Sequence, residues 1–577
     1  MAKPIQDPGP LVPPAISPLW PLLSVLAMAA LLIGVLFSLI FPFTASSSSA
    51  PAARFSDVTR EAGLSFVHDN GARPGEDTPT TLGGGVAVLD YDNDGLPDIF
   101  FVAGTRWPWL RMGNAAPCAC ALFHNDGNGR FTDVTRKAGL DAGMLGMSVA
   151  VGDYLNEGRP DIFVTGIGGN RLYHNLGNGR FANVTNAAGV RGDDHTWSTG
   201  AVWIDIYGDG RLDLVVCNYA RWAPESDLKS AFTAEAAERS YTTPAGFISA
   251  QPTVYRNLGN GRFVDVTART GLRRFDRDTG YPRAFPLAVA AVDVNGDGRL
   301  DLLFTYQTGD DILFLNQGDG TFREWIPPAA ERREGASAEM AAGGLAFAHA
   351  ARTDNRFGIL RSAGLAFAGS DEGEPYCRLA GKLGIALLDY DLDGRIDVIS
   401  GNGLAEPALE KFNGDRAFAS SPALIWNAGN GWVQAPQPEG GGALRRPVVA
   451  RGIAVADFFG DGYPDVVIAQ NGGPPLLLRN DQRYNRVRHA WLRIDLVGTR
   501  CQRDAGGARV EVHTPRGVLA QTMEPAMGFM AQSEKTLTFG LGDDDRVGRI
   551  VVRWPDGLRQ EIASPGVNRR VVITEPR

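Results

Sequence analysis

Short apolar runs separated by polar turns repeat along most of the chain, and one arrangement of them recurs. An apolar run leads into a loop rich in aspartate and glycine, and a second apolar run follows the loop. Short apolar runs bounded by turn residues are typical of β-strands. The arrangement therefore predicts pairs of strands joined by acidic loops. Its copies occupy residues 85–102, 148–165, 200–217, 289–305, 384–400 and 452–469.

A second arrangement follows the acidic pairs and predicts a hairpin. Two short apolar runs flank a turn such as LGNG at residues 176–179. Asn and Gly supply the positive φ angles that tight hairpin turns need. Together the two arrangements predict four-stranded units, which bury their faces by stacking around an axis as β-propeller blades. The hairpin copies occupy residues 122–135, 172–185, 254–267, 313–324 and, in weaker form, 424–434.

The spacing of the units and the ends of the repeat region predict a closed ring of seven blades. The interval between the acidic loops that start at Asp293 and Asp389 is wide enough for another unit. Within it, residues 344–360 keep the apolar frame but lack the first aspartate, which predicts a degenerate seventh blade without metal. Residues 54–59 match the tail of a hairpin, and residues 476–481 match the front half of one. Their pairing would leave the ring without a free sheet edge.

The predicted fold class is therefore all-β, with a seven-bladed β-propeller over residues 54–485. Residues 486–577 alternate polar and apolar positions in short segments, which predicts a small β-sandwich-like domain. Residues 19–43 are apolar and uncharged over a length that suits a transmembrane anchor or signal-anchor, with a cleaved signal peptide as the open alternative. Residues 1–18 form a short N-terminal tail, and residues 44–53 form a Ser/Ala linker.

Composition and motifs narrow the classes of function. The net charge of −9 argues against nucleic-acid binding, because a polyanion requires a basic surface. The five scattered cysteines do not form a disulfide framework. The sequence has no zinc-peptidase, serine-hydrolase or phosphate-loop motif. We therefore expect a protein that is not an enzyme.

The repeats resemble a known family. The D-x-D-x-D-G-x-x-D loops and the F-x-D-V-T hairpins look like the FG-GAP or VCBS repeats of the integrin α-subunit propeller. The C-terminal region is similar to the ASPIC/UnbV domain through GGARVEVHT at 506–514, FGLG at 539–542 and VVRWPDG at 551–557. The combination resembles the bacterial relatives of cartilage acidic protein. This resemblance implies the propeller architecture more specifically than any activity.

The acidic loops predict bound calcium, which takes its ligands from carboxylate, carbonyl and water oxygens. Several carboxylates packed together without a counter-ion would repel one another, so a cation is the economical explanation. The loops that start at Asp90 and Asp389 have complete ligand sets, whereas Leu155 and Glu157 leave the loop at Asp153 doubtful. The expected ligands are Asp90, Asp92, Asp94, Leu96 (backbone carbonyl), Asp98, Asp205, Asp209, Asp213, Asp293, Asn295, Asp297, Asp301, Asp389, Asp391, Asp393, Ile396, Asp397, Asp457, Asp461 and Asp465.

The predicted calcium sites also indicate a compartment. Extracellular modules bind calcium with Kd of about 10⁻⁴ to 10⁻³ M, so such sites would stay empty in a cytosol poor in free calcium. We therefore expect the globular part to lie on the periplasmic or extracellular side of a membrane. The long insert at 218–252 predicts a binding surface that contains Tyr219, Arg221 and Trp222, with a capping helix as the equally open alternative.

The function expected from the sequence is a membrane-anchored, calcium-stabilised module for adhesion or for binding a protein or glycan partner. Two alternatives stay open. One is an accessory subunit of a membrane protein complex, in which the N-terminal helix makes specific contacts. The other is an enzyme that uses the propeller channel to act on a saccharide or a phosphoester. The sequence does not predict the oligomeric state.

Overall fold

The computed structural model describes the chain from residue 50 onward, with internal gaps. Two short strands at 233–234 and 238–239 are described by their backbone alone. The described residues are 50–70, 82–104, 120–141, 143–223, 247–275, 285–306, 312–325, 384–401, 417–429, 431–438, 442–485, 488–524 and 530–577.

Six four-stranded antiparallel units make up most of the described chain before residue 485. The first strand in the chain is β1 (Phe55–Asp57). Unit 1 contains β2 (Val86–Leu89), β3 (Asp98–Phe101), β4 (Ala121–Asn125) and β5 (Phe131–Asp133). Unit 2 contains β6 (Leu145–Gly152), β7 (Asp161–Ile167), β8 (Arg171–Gly177) and β9 (Arg180–Asn183). The short helices α1 (Thr135–Ala138) and α2 (Thr185–Ala188) follow units 1 and 2.

Unit 3 carries the insert between its second and third main strands. It contains β10 (Thr196–Ile204), β11 (Asp213–Arg221), the inserted strands β12 (Thr233–Ala234), β13 (Glu238–Arg239) and β14 (Ile248–Ser249), and then β15 (Thr253–Asn257) and β16 (Phe263–Asp265). Unit 4 contains β17 (Pro286–Val292), β18 (Asp301–Tyr306), β19 (Ile312–Asn316) and β20 (Phe322–Glu324). Three 3₁₀ turns occupy Thr267–Arg269, Ala443–Arg445 and Gln482–Tyr484.

Units 5 and 6 complete the described repeats. Unit 5 contains β21 (Gly384–Leu388), β22 (Asp397–Gly401), β23 (Ala423–Asn427) and β24 (Trp432–Gln434). Unit 6 contains β25 (Ala450–Ala456), β26 (Asp465–Gln470) and β27 (Leu476–Asn480), and β1 is its fourth strand. Phe55 pairs with Asn480 in an antiparallel register. The predicted pairing of the two ends of the repeat region is thus confirmed.

The sheets pack face to face, which explains why their strands are nearly continuous apolar runs. A strand that is covered on both faces has no side that favours polar residues; every residue of β25, for example, is buried. Successive units share core clusters, and the first strands of neighbouring units lie side by side. The shared clusters include Ile399 with Val466 (units 5 and 6), Ile99 with Val467 (6 and 1), Phe100 with Ile162 (1 and 2), Phe163 with Leu214 (2 and 3) and Val215 with Phe304 (3 and 4). The fold is therefore all-β and propeller-like.

The C-terminal domain is also built from strands, as its alternating sequence predicts. A three-stranded sheet has the order β32 (Leu537–Gly542), β28 (Ala490–Val497), β35 (Arg569–Thr574). A four-stranded sheet has the order β30 (Gly517–Thr522), β29 (Arg509–Thr514), β33 (Arg549–Arg553), β34 (Arg559–Ala563). Both sheets contribute to one core, in which Val510, Phe539 and Trp554 are buried.

One segment of the C-terminal domain enters the repeat region. Strand β31 (Ala531–Gln532) pairs in parallel with β2, the first strand of unit 1. The side chain of Gln532 accepts a 2.7 Å hydrogen bond from the Val151 amide and donates one of 3.1 Å to the Val151 carbonyl in unit 2. The Glu534 amide donates to the carbonyl of Val455 in unit 6 at 3.0 Å. Residues 530–534, which we name the plug, therefore join the first strands of three units.

Several expectations fall outside the described residues. These are the N-terminal tail, the apolar segment at 19–43, most of the linker at 44–53 and the seventh blade at 344–360. Within the part of the chain that the structure describes, no helix is both long enough and apolar enough to cross a membrane.

Candidate metal centres on the loop face

The first aspartate of every acidic loop shapes the loop backbone. In unit 1 the Asp90 carboxylate accepts hydrogen bonds from the amides of Asp94 at 3.0 Å and Gly95 at 2.9 Å. The same pair of contacts recurs in the other five units, including the loop at Asp153 that lacks the middle aspartates. A side-chain oxygen that accepts nearby backbone amides is the usual way in which aspartate fixes a turn. This aspartate therefore has a structural role in all six loops, with or without a metal ion.

The last aspartate of each loop is buried and connects the two hairpins of its unit. Asp98 is fully buried, and it accepts hydrogen bonds from the amides of Tyr91 at 3.0 Å and Asn125 at 2.8 Å. Its counterparts make the same two contacts, and the bond from the asparagine amide measures 2.8 Å in every unit. Burial raises the pKa of Asp98 to about 8, although the two amides act in the opposite direction. The counterparts are Asp161, Asp213, Asp301, Asp397 and Asp465.

The middle positions of the loop distinguish the units. In unit 5, carboxylate oxygens of Asp389, Asp391 and Asp397 all lie within 4.8 Å of one another. In unit 1 the carboxylates of Asp90, Asp92 and Asp98 converge in the same way, although Asp92 is exposed. These are the two loops whose ligand sets are complete in the sequence. Within the described chain, the clusters of this kind all belong to these two units.

The unit 5 cluster has the electrostatic character of a cation site. Burial, followed by repulsion from Asp391 and Asp393, raises the pKa of Asp389 well above its usual range. Burial and repulsion from Asp393 raise the pKa of Asp391 to about 6. One oxygen of Asp391 is buried and has no hydrogen-bond partner. Three carboxylates in this arrangement are an oxygen donor set of the type that calcium prefers.

The remaining predicted ligands are arranged differently, and several already have a partner. Arg211, Arg299 and Arg395 pair with the fifth-position aspartates Asp209, Asp297 and Asp393 of units 3, 4 and 5. The side-chain amide of Asn295 donates to Asp297 at 3.0 Å, so these two predicted ligands of unit 4 lie next to each other. The first aspartates Asp205 and Asp293 make the backbone contacts described above. In unit 6, Asp461 pairs with Arg483.

The two predicted carbonyl ligands are not equivalent in the repeat. Leu96 follows Gly95 in the loop of unit 1, whereas Ile396 occupies the position that Pro97 has in unit 1. The carbonyl of Ile396 accepts a hydrogen bond from the Asn427 side chain at 3.3 Å, just as the Pro97 carbonyl accepts one from its own hairpin asparagine. Ile396 is therefore the counterpart of Pro97 and Arg395 that of Leu96, and a metal-ligand role for Ile396 stays a prediction.

An asparagine at the end of the third strand links neighbouring units, a role that the turn motifs of the sequence do not predict. The side-chain amide of Asn175 in unit 2 donates to the carbonyl of Tyr91 in unit 1 at 2.8 Å. Asn125, Asn257 and Asn480 make the equivalent bonds to units 6, 2 and 5. Asn480 precedes no Asn-Gly turn, so its place in the repeat was a signal that this asparagine does more than form turns.

All six acidic loops face the C-terminal domain, and we name their common surface the loop face. Arg570 donates to the carbonyl of Gly95 at 2.7 Å in unit 1, and the Gly542 amide donates to the carbonyl of Leu392 at 2.9 Å in unit 5. In units 2 and 6, Asn156 accepts from the Arg503 amide and Asp457 accepts from Arg493. In units 3 and 4, Gly210 lies beside Arg500 and Gly298 beside Gly507. The loops are therefore the platform on which the C-terminal domain sits.

A cavity of about 670 Å³ lies where units 1 and 2 meet the C-terminal domain. Its walls include Asp90, Asp153, Lys535 and Arg570. Two cationic groups in the wall already have carboxylate partners, since Lys535 pairs with Asp504 at 2.5 Å and Arg570 with Asp495 at 2.6 Å.

The three residues predicted to form a binding surface lie at the start of the insert. Tyr219 and Trp222 are each only 2% exposed and belong to a core cluster with Trp197 and Met530. They are therefore core residues and not part of an exposed surface, because β11 continues through Arg221 before the insert begins. Arg221 is exposed, and it pairs with Asp193 at 3.3 Å. The described part of the insert contains the antiparallel pair β12–β13.

Comparisons with known proteins agree with this architecture. The model of the FG-GAP-like repeat family matches residues 90–164, 154–216, 245–304, 293–343 and 389–468, and the model of the ASPIC and UnbV family matches residues 498–577. The chain is similar to cartilage acidic protein 1 of Homo sapiens, with 23% identity over 87% of this chain and 73% of that protein.

Similarity to solved structures is weaker. A lectin from Agrocybe aegerita is 16% identical, covers 70% of this chain and 82% of its own, and superposes with a TM-score of 0.29. The rhamnogalacturonan lyase YesW is 12% identical, covers 70% of this chain and 72% of its own, and superposes with a TM-score of 0.31.

Proposed function

Since the chain belongs to the FG-GAP-like repeat family and carries an ASPIC and UnbV domain, we propose that it is a calcium-stabilised extracytoplasmic binding module. Its partner is a protein or a glycan, and residues 19–43 anchor it to a membrane. The relatives named cartilage acidic protein 1 support the extracellular side of this proposal. Their name and the repeat family also support a role without catalysis.

The observation that carries the calcium part is the convergence of Asp389, Asp391 and Asp397 in unit 5. A divalent cation would stabilise three neighbouring carboxylates that burial and mutual repulsion otherwise destabilise. Asp90, Asp92 and Asp98 would hold a second ion in unit 1. The ions would fix the loops on which the C-terminal domain rests. Their role in this proposal is structural, and the modest affinity expected of such sites fits a calcium-rich compartment.

We also propose that the propeller has seven blades. Shared cores join unit 5 to unit 6, unit 6 to unit 1, and units 1 to 4 in succession. Units 4 and 5 are the neighbouring pair along the chain that residues 326–383 separate. A stretch of this length is sufficient for one more four-stranded unit. Covering the outer faces of units 4 and 5 would complete the ring in the manner of other propellers.

A binding role is favoured over channel chemistry by the position of the plug. Met530 belongs to a core cluster with Leu145 of unit 2, Trp197 of unit 3 and Ala288 of unit 4. These buried apolar side chains from the plug and three units offer no acid, base or metal ligand for chemistry on a saccharide or a phosphoester. Surface loops such as the insert at 218–252 are the more suitable place for partner recognition.

The test has two arms. Isothermal titration of the calcium-free protein with calcium should show binding of at least two ions. Calcium should also raise the melting temperature in a separate thermal-melting experiment. Absence of binding up to about 10 mM calcium, well above the usual range for extracellular modules, would reject the calcium part. A glycan array probed in calcium, with a variant that lacks residues 224–246 as the control, tests the glycan partner. Equal signals for both proteins would show that the insert is not the recognition surface.

A further inference from the structure

The first aspartate of the unit 6 loop forms an ion pair, which the first aspartates of the other five loops do not form within the described residues. Arg493 on β28 of the C-terminal domain donates from Nη1 to an oxygen of Asp457 at 2.9 Å. The two side chains are only 4% and 2% exposed. The second guanidinium nitrogen, Nη2, donates to Glu534 at 2.5 Å, and that glutamate also accepts the Asp457 amide at 3.3 Å. The guanidinium therefore lies between two carboxylates in a buried site.

The loops of units 1 and 5 differ from the unit 6 loop at the same aspartate. Asp457 is the counterpart of Asp90 and Asp389, and among the described residues neither of those two forms an ion pair with lysine or arginine. The third loop position differs as well, because Phe459 stands where those loops have aspartate. Unit 6 has thus lost one carboxylate ligand and gained a cation from another domain.

We propose that Arg493 is a built-in cation of the unit 6 loop, which occupies the place of a metal ion and fastens the C-terminal domain to the propeller. A guanidinium offers donors in a planar fork that matches carboxylate oxygens, so one side chain neutralises Asp457 and Glu534 together. A buried carboxylate that loses its only cationic partner is strongly destabilising. The loop face then holds metal ions in units 1 and 5 and a protein cation in unit 6. The contrast with metal-loaded loops rests on the proposed calcium function, whereas the docking role of Arg493 does not.

The first test is a double-mutant cycle in the full-length protein with Arg493→Met and Asp457→Asn. We expect Arg493→Met to lower the melting temperature more than the double variant does, because Arg493→Met leaves both Asp457 and Glu534 without the guanidinium, whereas the double variant leaves only Glu534. The control cycle uses Arg570→Met and Asp495→Asn, a more exposed pair whose coupling should be much smaller. Additive effects at Arg493 and Asp457 would overturn the inference. If Arg493→Met does not fold, Arg493→Lys keeps the charge but loses the fork, and it should show a smaller loss of melting temperature.

The second test counts bound calcium by equilibrium dialysis. Arg493→Met should bind one ion per chain more than the wild-type protein, and the additional ion should disappear when Asp457→Asn is added. A wild-type protein that binds calcium and a variant that gains no ion would contradict the substitution of arginine for metal. A wild-type protein that binds no calcium would reject the proposed calcium function, and the double-mutant cycle would then decide the role of Arg493 alone.

Discussion

The side-chain amide of Asn175 donates a hydrogen bond to the backbone carbonyl of Tyr91 at 2.8 Å, although 84 residues separate them in the chain. The same side chain donates to the carbonyl of Pro160 at 3.1 Å within its own unit, and its oxygen accepts the amide of Gly177 at 2.9 Å. Asn175 thus satisfies its hydrogen-bonding groups while it joins two sheets. Because the residue is fully buried, any group that loses its partner here stays without water.

Asn175→Ala should therefore destabilise the protein by about 1 to 3 kcal/mol, the usual cost of leaving buried polar groups unpaired. The neighbouring substitution Leu176→Ala is the matched control, since Leu176 is exposed. Urea unfolding followed by tryptophan fluorescence measures both variants. Equal free energies of unfolding for the two would mean that the inter-unit bond contributes nothing.

Loss of one middle carboxylate should weaken the response to calcium in unit 5. For a site with Kd of about 10⁻³ to 10⁻⁴ M, about 10 mM calcium stabilises the folded state by about 1.4 to 2.7 kcal/mol. Asp391→Asn should remove most of the contribution of that site to the rise in melting temperature. Asp153→Asn is the control, because the unit 2 loop has Leu155 at the third position. A larger effect of Asp153→Asn than of Asp391→Asn on the calcium response would contradict the assignment of the calcium ion to the unit 5 loop rather than to the unit 2 loop.

Stability without calcium should fall as the pH rises from about 5 to 8. Burial raises the pKa of Asp98 to about 8 and the pKa of Asp213 to about 7 in the folded protein. Above about pH 5 the unfolded chain has lost these protons, whereas the folded chain retains them up to about pH 7 at Asp213 and about pH 8 at Asp98. Over its own interval each carboxylate costs up to about 1.4 kcal/mol per pH unit.

Calcium should reduce the part of this loss that comes from Asp98, because the proposed ion of unit 1 binds the ionised carboxylate. The measured quantity is the difference between the melting temperatures with calcium and with chelator at each pH, and it should grow toward pH 8. This difference cancels the effect of His68, whose pKa is lowered to about 4 by burial and which acts in the opposite direction. A difference that stays constant with pH would show that calcium does not bind these ionised groups.

Gly540→Ala should disturb the contact between the C-terminal domain and the unit 5 loop. A Cβ atom at Gly540 would lie 2.1 Å from an oxygen of Asp389 and 2.4 Å from the backbone carbon of Leu392. The domain must shift to accept it, at a cost of about 1 to 3 kcal/mol or more. Gly431→Ala is the control, since a Cβ atom there meets no neighbour within 4 Å. Thermal melting and calcium titration check both variants. Identical curves for Gly540→Ala and Gly431→Ala would show that the C-terminal domain does not pack closely against the unit 5 loop.

Features that depend on local spacing could be predicted from the sequence. The acidic loops, the hairpins and the closure of the repeat region by Phe55 and Asn480 all follow from the register of repeated motifs. In the VVRWPDG segment, Trp554 directly follows β33 and is 2% exposed. Alternating apolar positions were sufficient in these cases, because the strands themselves set the burial of each residue.

Features that depend on docking between distant segments could not be predicted. Gln532 of the plug meets Val151 across 381 residues, and although Val151 lies in a repeat copy, Gln532 lies in no repeated motif. Strand β11 continues further than the repeat suggests, so Tyr219 lies within it and Trp222 directly after it, and both belong to a core cluster with Trp197 instead of facing solvent. The loop aspartates were interpreted as metal ligands alone, but the first and last of them also hold the backbone in every unit.

The pairing of β1 with β27 sets an order for biosynthesis. Ser56 hydrogen-bonds to Asp481, which is made 425 residues later. At about 5 to 20 residues per second, a ribosome needs on the order of 20 to 85 s between these two points. The first strand of the propeller must therefore remain unpaired, or be shielded by other molecules, while the intervening units are synthesised. The plug is synthesised later still, so it joins β2, β6 and β25 only after β27, the partner of β1, has been translated.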